Sequence, residues 1–497
     1  LIDSLIAGLS TAFSLSGMLH TFLGASFGYL FGFLPGLTGS VALSLLIPVT
    51  FGMEPANAMM MLAGTLGGVC FGGSVTAILI NAPGTGANAA TSIDGYALSR
   101  QGRAGEALGA SALSSFLGHL LGIGVLIASI PIMTKMVLAF GPAEWFSLGV
   151  GGLFLIASVS GGSLINGIIA GCIGLLLSSH GINPVVGGQR YTFGQMWLWD
   201  GLPMIPVIVG MMALSEMALL YGQSRTISMS GKVGRGGTFK GMLAVFKNIH
   251  LVGICGVIGV LIGAIPGVGG NISTWLALST AKQMSKSPET FGQGNIEGVI
   301  APEAANDATE GGALMPLISL GIPGSPSTAV LLGALMMHGL QPGQKMLTQQ
   351  LDVVFSLSFA HLFGAFIACS IGLLLATTLA KLTTIPSKML VPVLTIVCLA
   401  GAYASRQRMT DVYLAVFFGI VGYFMKKCNI PRVPVLLGLI LGQLIEFSFQ
   451  TTMQISDHSL MIFLTRPYSL VFMMFIPISF AVSILMNKNK KKSAAKA

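Results

Sequence analysis

Long apolar runs separated by short polar joints dominate this chain, and several of the runs stop at glycine and proline. Residues 19–34 are apolar up to a Pro-Gly pair, and residues 41–51 resume as a run too short to cross a bilayer, which predicts a half-helix; a full crossing takes about 20 residues. Residues 58–80 are long enough to cross but end on a second break, Asn81-Ala82-Pro83-Gly84-Thr85-Gly86, after which residues 87–98 predict a short, polar-studded helix. Arg100, Arg103 and Glu106 mark an aqueous turn. Residues 107–130, 145–160 and 164–178 predict ordinary spans, with Pro131 and Pro142 bounding a connecting element. The polar stretch 180–201 predicts an extramembrane or interfacial loop whose Trp197 and Trp199 suit a headgroup belt. A further span follows at 203–219.

The pattern then starts again. Gly28-x3-Gly32-x2-Pro35-Gly36-x2-Gly39 in the first half has a counterpart of identical internal spacing in Gly259-x3-Gly263-x2-Pro266-Gly267-x2-Gly270. The second break also has a counterpart, Gly321-Ile322-Pro323-Gly324-Ser325-Pro326, at the end of the apolar run 296–320. The run 330–338 is again short, and 357–379, 390–404, 412–425, 435–447 and 470–485 predict the remaining spans. The bilayer core offers no hydrogen bonds, so broken backbone at that depth persists only where protein or a hydrated cavity satisfies it. Interrupted segments at matching places in two halves point to a transport site. The expected fold is an all-α polytopic membrane protein of two repeats with broken helices and roughly ten to fourteen hydrophobic segments. Its expected organisation is a first repeat at 1–222, a basic cytoplasmic linker at 223–249, a second repeat at 250–486 and a basic cytoplasmic tail at 487–497.

Composition sharpens the class. Of 497 residues 53% are hydrophobic and 8% charged, with a mean hydropathy of +0.84; soluble domains carry about 25% charged residues. The net charge of +9 is concentrated in Arg225, Lys232, Arg235, Lys240 and Lys247 of the linker and in the C-terminal lysines, which sets orientation by the positive-inside rule and argues against nucleic acid as a partner. Leu1 to Ser10 lacks the basic start and small-residue cleavage site of a secretory signal. The six cysteines stand singly, without CxxC or Cys/His spacing, so neither a disulfide framework, a metal site nor a cofactor is expected.

Candidate chemistry lies at the breaks. An interrupted helix exposes up to four N–H groups at one end and four carbonyls at the other, the first attracting carboxylates and the second a cation. The expected solute contacts are Pro35, Gly36, Leu37, Thr38, Gly39 and Ser40, then Asn81, Pro83, Gly84, Thr85 and Gly86 in the first half. In the second they are Pro266, Gly267, Gly269, Gly270 and Asn271, then Pro323, Gly324, Ser325, Pro326 and Ser327. Glu303, Asn306, Asp307 and Glu310 fall at spacings of three and four and so share a helix face. This row is either a solvated helix start or a functional intramembrane group. Asn306 and Asp307, with Asn81 and Ser319, are candidate cation contacts, whereas Asp94 suits either a cap or a site role. His119 and His361 on apolar runs suit packed, hydrogen-bonded positions. Gly24-Ala25-Ser26-Phe27-Gly28 matches GxSxG but lies inside an apolar helical run, where small-residue helix packing explains it and an exposed nucleophile does not. Neither HExxH nor a Walker motif occurs; the chain is not expected to be an enzyme, and any uphill transport must draw on ion gradients.

In order, Gly32-x2-Pro35-Gly36-x2-Gly39, Phe71-Gly72-Gly73-Ser74 to Asn81-Ala82-Pro83-Gly84, Asp94-Gly95-Tyr96, Gly298 to Asn306 and Gly311-Gly312-Ala313 to Gly321-Ile322-Pro323-Gly324 resemble the TctA family, the large membrane subunit of tripartite tricarboxylate transporters. One position departs: the family pattern resembles Pro-Glu-Ala-Ala-Asn-Asn, whereas Asn306 is followed here by Asp307. The resemblance implies a bacterial inner-membrane, ion-coupled importer built of two inverted repeats with broken or re-entrant helices, which moves as an elevator. It implies as partners a small four-span membrane subunit and a periplasmic binding protein, and as solutes citrate and other tricarboxylates, dicarboxylates or aromatic acids. The expected coupling ion is Na⁺, with H⁺ the alternative, and a stand-alone carboxylate transporter is the alternative to the tripartite assembly.

Overall fold

The computed structural model describes residues 1–34, 36–159, 164–183, 187–222, 237–267, 269–379 and 387–480. Pro35, the linker residues Arg225, Lys232 and Arg235, and the C-terminal tail lie outside the described residues. In chain order the helices are α1 (Ile2–Ala12), α2 (Leu15–Phe33), α3 (Gly39–Thr50), α4 (Pro55–Ile80), α5 (Ala89–Arg100), α6 (Ala104–Leu138), α7 (Pro142–Val159), α8 (Leu164–Ser178), α9 (Met204–Ile208), α10 (Ser215–Tyr221), α11 (Thr238–Lys247), α12 (Ile249–Gly263), α13 (Gly269–Met284), α14 (Glu297–Leu320), α15 (Pro326–Met337), α16 (Gln344–Thr348), α17 (Leu351–Leu379), α18 (Ser387–Arg406), α19 (Met409–Lys427), α20 (Val433–Ile455), α21 (Ile462–Thr465) and α22 (Pro467–Met473). Among the described residues, 7 helices are long and apolar enough to cross a membrane, or up to 9 if each of two bent pairs counts as one span. The bent pairs are α1 with α2, at 67°, and α11 with α12, at 78°. The protein is therefore a mostly helical, multi-pass membrane protein.

Several elements differ from expectation for local reasons. Residues 238–247, expected within a basic loop, form α11, whose Gly241 lies against the Glu106 carbonyl and whose Lys240 meets Glu106 Oε2 at 3.2 Å. The span expected to end at residue 130 continues through Pro131 to Leu138; proline removes one ladder bond but does not end a helix held by its neighbours. The stretch 180–201 contains a two-stranded antiparallel ribbon, Gly181–Ile182 with Gln189–Arg190. A π-turn, Val209–Leu214, joins α9 to α10.

The chain divides into two compact units, each drawn from both halves of the sequence. One comprises Leu1–Thr134 and Glu216–Ser405 and contains all four glycine-proline breaks; the other comprises Lys135–Ser215 and Arg406–Ala497. In the second unit, Arg190 forms a two-pronged pair with Glu446 at 2.6 and 2.8 Å, and Arg432 donates to Ser215 Oγ and to the Met211 carbonyl of the π-turn.

The first unit is built on very close helix contacts. A Cβ placed at Gly24, Gly28 or Gly32 of α2 would stand 1.9, 2.1 and 2.1 Å from the carbonyls of Met61, Thr65 and Val69 of α4. The GxSxG match is thus a packing seam, as small residues at every fourth position allow. Gly28→Leu is expected to push α2 off α4 and eliminate monodisperse protein in detergent, as read by size-exclusion chromatography; Ser26→Ala should leave the profile unchanged.

Candidate functional site

The two second breaks have the same local construction. Helix α4 ends on Asn81 with φ 54° and α14 on Gly321 with φ 68°, the left-handed conformation in which Gly and Asn commonly stop helices. The next amide bonds back in each case, Ala82 N to the Thr76 carbonyl at 3.3 Å and Ile322 N to the Pro316 carbonyl at 3.2 Å. Thr85 with Asn88 and Ser325 with Thr328 then form capping boxes that restart the chain. Gly84 and Gly324 make this turn possible: a Cβ on Gly84 would lie 2.1 Å from the Gly32 carbonyl and 2.6 Å from Gly73 Cα, and one on Gly324 2.7 Å from both the Gly263 carbonyl and Ala313 Cα.

The breaks meet crosswise. A Cβ at Gly39, the first residue of α3, would stand 2.8 Å from Ser327 Oγ in the first turn of α15. One at Gly86, in the turn that opens α5, would stand 2.8 Å from Asn271 Oδ1 in the first turn of α13. The first break of one half therefore faces the second break of the other, and what meets in each case is the start of a helix. Gly267 N also donates to the Gly324 carbonyl at 3.2 Å, and Thr38 and Ser40 share a hydroxyl contact of 2.8 Å.

Surface access divides the expected solute contacts. Gly36, Asn81, Gly86, Asn271 and Pro326 are exposed; Thr38, Pro83, Thr85, Pro266, Gly267, Gly270 and Ser327 are half-buried. Leu37, Gly39, Ser40, Gly84, Gly269, Pro323, Gly324 and Ser325 are buried and shape the turns from within. The expected cation contacts do not form one shell. Asn306 and Asp307 are neighbours, but Ser319 stands twelve residues further along α14, about 18 Å of helix, and donates to the Met315 carbonyl of its own helix. Asn81 serves as the cap of α4.

Next to the breaks lies a buried polar row on α14. Glu303 is fully buried and not part of a solvated helix start. Its Oε1 accepts from Ser74 of α4 (2.8 Å) and Thr91 of α5 (2.5 Å), and its Oε2 from Ser111 (2.6 Å) and Ser115 (2.9 Å) of α6. Ser74 in turn accepts from Asn88 Nδ2 at 2.8 Å, so one chain of hydrogen bonds runs from the Thr85 cap to α14. One turn on, Asp307 Oδ1 lies 2.9 Å from His119 Nδ1 of α6, both side chains at 0% exposure. The rings of His119 and His361 have centroids 4.8 Å apart, and His361 Nδ1 lies 3.2 Å from the Ala63 carbonyl. Both histidines are packed, as their sequence context suggests, but His119 is no bystander to Asp307. Asp94 is a loop anchor: its Oδ1 accepts the backbone N–H of Gly292, Gly294 and Asn295 at 2.8–3.0 Å. The hydroxyl ring around Glu303 escaped sequence reading; its one visible trace is Ser111 and Ser115, four apart on an apolar helix. Among the described residues, no group of three or more His, Cys, Asp or Glu side chains is placed to hold a metal ion.

A family model for the tripartite tricarboxylate transporter TctA family matches residues 18–437. The chain belongs to the TctA family. It is thus a component of a tripartite tricarboxylate transporter family and not of an enzyme family. This TctA-family chain is also 34% identical over 470 residues, 94% of its length and 93% of the relative's, to an uncharacterized 52.8 kDa protein from the TAR-I ttuC' 3' region of Agrobacterium vitis. It is 34% identical over 209 residues, 42% of its length and 86% of the relative's, to an uncharacterized protein from the TAR-II ttuC' 3' region of the same organism. No solved structure matches.

Proposed function

We propose that this chain is the large permease subunit of a binding-protein-dependent, cation-coupled importer of tricarboxylates or related carboxylates. In this reading it lies in a bacterial inner membrane with its C-terminus in the cytoplasm, beside a small four-span subunit, and receives its solute from a periplasmic binding protein. The crosswise meeting of interrupted helices carries the reading: Gly39 against Ser327 and Gly86 against Asn271 bring helix N-termini face to face, an arrangement that attracts carboxylates without a basic side chain. Neutral donors suit an anion that must be released as well as bound. The matched capping geometry supports two repeats; in this reading they are inverted, and the transport motion is an elevator movement of the elements that carry the breaks.

Moving one charge through 100 mV is worth about 2.3 kcal/mol, so a trianion must enter with at least four monovalent cations for the membrane potential to drive it. Sodium is the coupling ion we favour, because carbonyl ends and hydroxyls hold it without titrating. Uptake of labelled citrate, succinate and benzoate, by cells expressing the chain with and without its neighbouring subunits, tests the proposal under separate Na⁺ and pH gradients. Uptake of at least one solute that requires the binding protein and a Na⁺ gradient is the expected result. Uptake without the binding protein would favour a stand-alone transporter; dependence on a pH gradient alone would make H⁺ the coupling ion.

A further inference from the structure

Asn306 is 3% exposed, and among the described residues its Nδ2 has no hydrogen-bond partner. Buried amide donors are nearly always paired, so an unpaired one calls for a ligand or a function. Its surroundings indicate which ligand. A Cβ placed at Gly270 would lie 3.0 Å from Asn306 Oδ1 and 3.2 Å from Ala87 Cβ. The missing side chain at Gly270 therefore lets the opening turn of α13 approach the Asn306 amide and the turn that starts at Gly86 closely. That is the junction where Gly86 faces Asn271. Helix α13 is 16 residues long, and the N–H groups of its first turn have no acceptor within the helix.

The neighbouring hydroxyls are already engaged. Thr309 Oγ1 donates to Ser273 Oγ at 2.7 Å and contacts the Ala305 carbonyl at 2.6 Å, and Ser273 Oγ donates to the Gly270 carbonyl at 2.9 Å. Asp307 Oδ1 lies 2.9 Å from His119 Nδ1 of α6, and Asp307 Oδ2, an acceptor and not a donor, has no hydrogen-bond partner among the described residues. The unused donor at this junction is the Asn306 amide, beside the positive end of a helix.

We propose that Asn306 donates a hydrogen bond to a carboxylate of the transported solute at the N-terminus of α13. The inference rests on the carboxylate-permease reading and assigns Asn306 to the solute and not to the coupling cation. The two assignments make opposite predictions for Asn306→Asp. At a carboxylate subsite this change removes a donor and adds a like charge; in a cation shell it adds an attractive ligand.

The test is initial-rate uptake by the full chain expressed with its neighbouring subunits, using whichever of citrate, succinate or benzoate the wild type accumulates fastest. Solute is varied at saturating Na⁺, and Na⁺ at saturating solute. Asn306→Asp is expected to raise the half-saturating solute concentration about tenfold or more, since a hydrogen bond to a charged group is lost, and to leave half-saturating Na⁺ within about twofold. Asn306→Ala, which adds no charge, should raise it in the same direction by a smaller factor, and it carries the test if the aspartate variant does not reach the membrane. Wild-type solute affinity in either variant, or a lowered Na⁺ requirement in Asn306→Asp, would overturn the proposal. A wild-type protein that accumulates none of the three solutes would remove the permease reading, and this inference with it.

Discussion

Glu303→Ala is expected to abolish uptake and leave little folded protein. The carboxylate has no exposure and accepts from four hydroxyls, Ser74, Thr91, Ser111 and Ser115, on α4, α5 and α6. Removing it takes the acceptor from Thr91, Ser111 and Ser115, while Ser74 keeps the Cys70 carbonyl and Asn88 Nδ2, and a buried hydroxyl without a partner costs about 1–3 kcal/mol. The combined loss, on the order of 5 kcal/mol or more, is comparable with the whole net stability of many domains, about 5–15 kcal/mol. Glu303→Gln should be milder. It keeps one acceptor oxygen, and two of the hydroxyls can turn to accept from its amide, so a cost of about 1–3 kcal/mol is expected. Thermal unfolding of detergent-solubilised protein, followed by fluorescence-detected size exclusion, reads both variants. A Glu303→Ala protein with wild-type thermal stability would show that this hydrogen-bonded hub does not hold the four helices together.

His119→Leu is expected to have the next largest effect, because it takes away the imidazole whose Nδ1 lies 2.9 Å from Asp307 Oδ1, where both side chains are fully buried. Breaking a buried pair by removing one member costs about 3–5 kcal/mol, whereas replacing both members with apolar groups is often neutral. The double variant His119→Leu/Asp307→Leu should therefore recover much of the thermal stability lost in the single change. Uptake is not expected to return with it, since α14 carries both Asp307 and the second break at Gly321. Recovery of stability and transport together would make the pair purely structural. Failure of the double variant to regain stability would mean that packing around His361 and Ala63, not the contact with Asp307, sets the cost.

The candidate site was only partly legible before the structure was known. The turns at Asn81 and Gly321 could be located because Pro restricts and Gly frees the backbone locally, so their meaning does not depend on distant residues. Glu303, Asp307 and Glu310 could be placed on one helix face for the same reason, since helical periodicity is a local property. Their environment could not be inferred. A Glu-rich helix start looks the same in sequence whether water or four hydroxyls surround it, and Ser74, Thr91, Ser111 and Ser115 come from three other helices. His119 is the clearest case: 188 positions of chain separate it from Asp307, and no spacing rule links them.

Composition and apolar run length alone determined that this is a multi-pass helical membrane protein, because a bilayer core admits only segments that satisfy their own backbone. The motifs alone determined the TctA family. The tertiary structure decided which breaks face which, that the buried carboxylates are partnered from other helices, and that α11 is a helix bent against α12. These are products of long-range packing, where glycine seams such as Gly24, Gly28 and Gly32 against α4 fix how closely two helices approach and so which side chains meet.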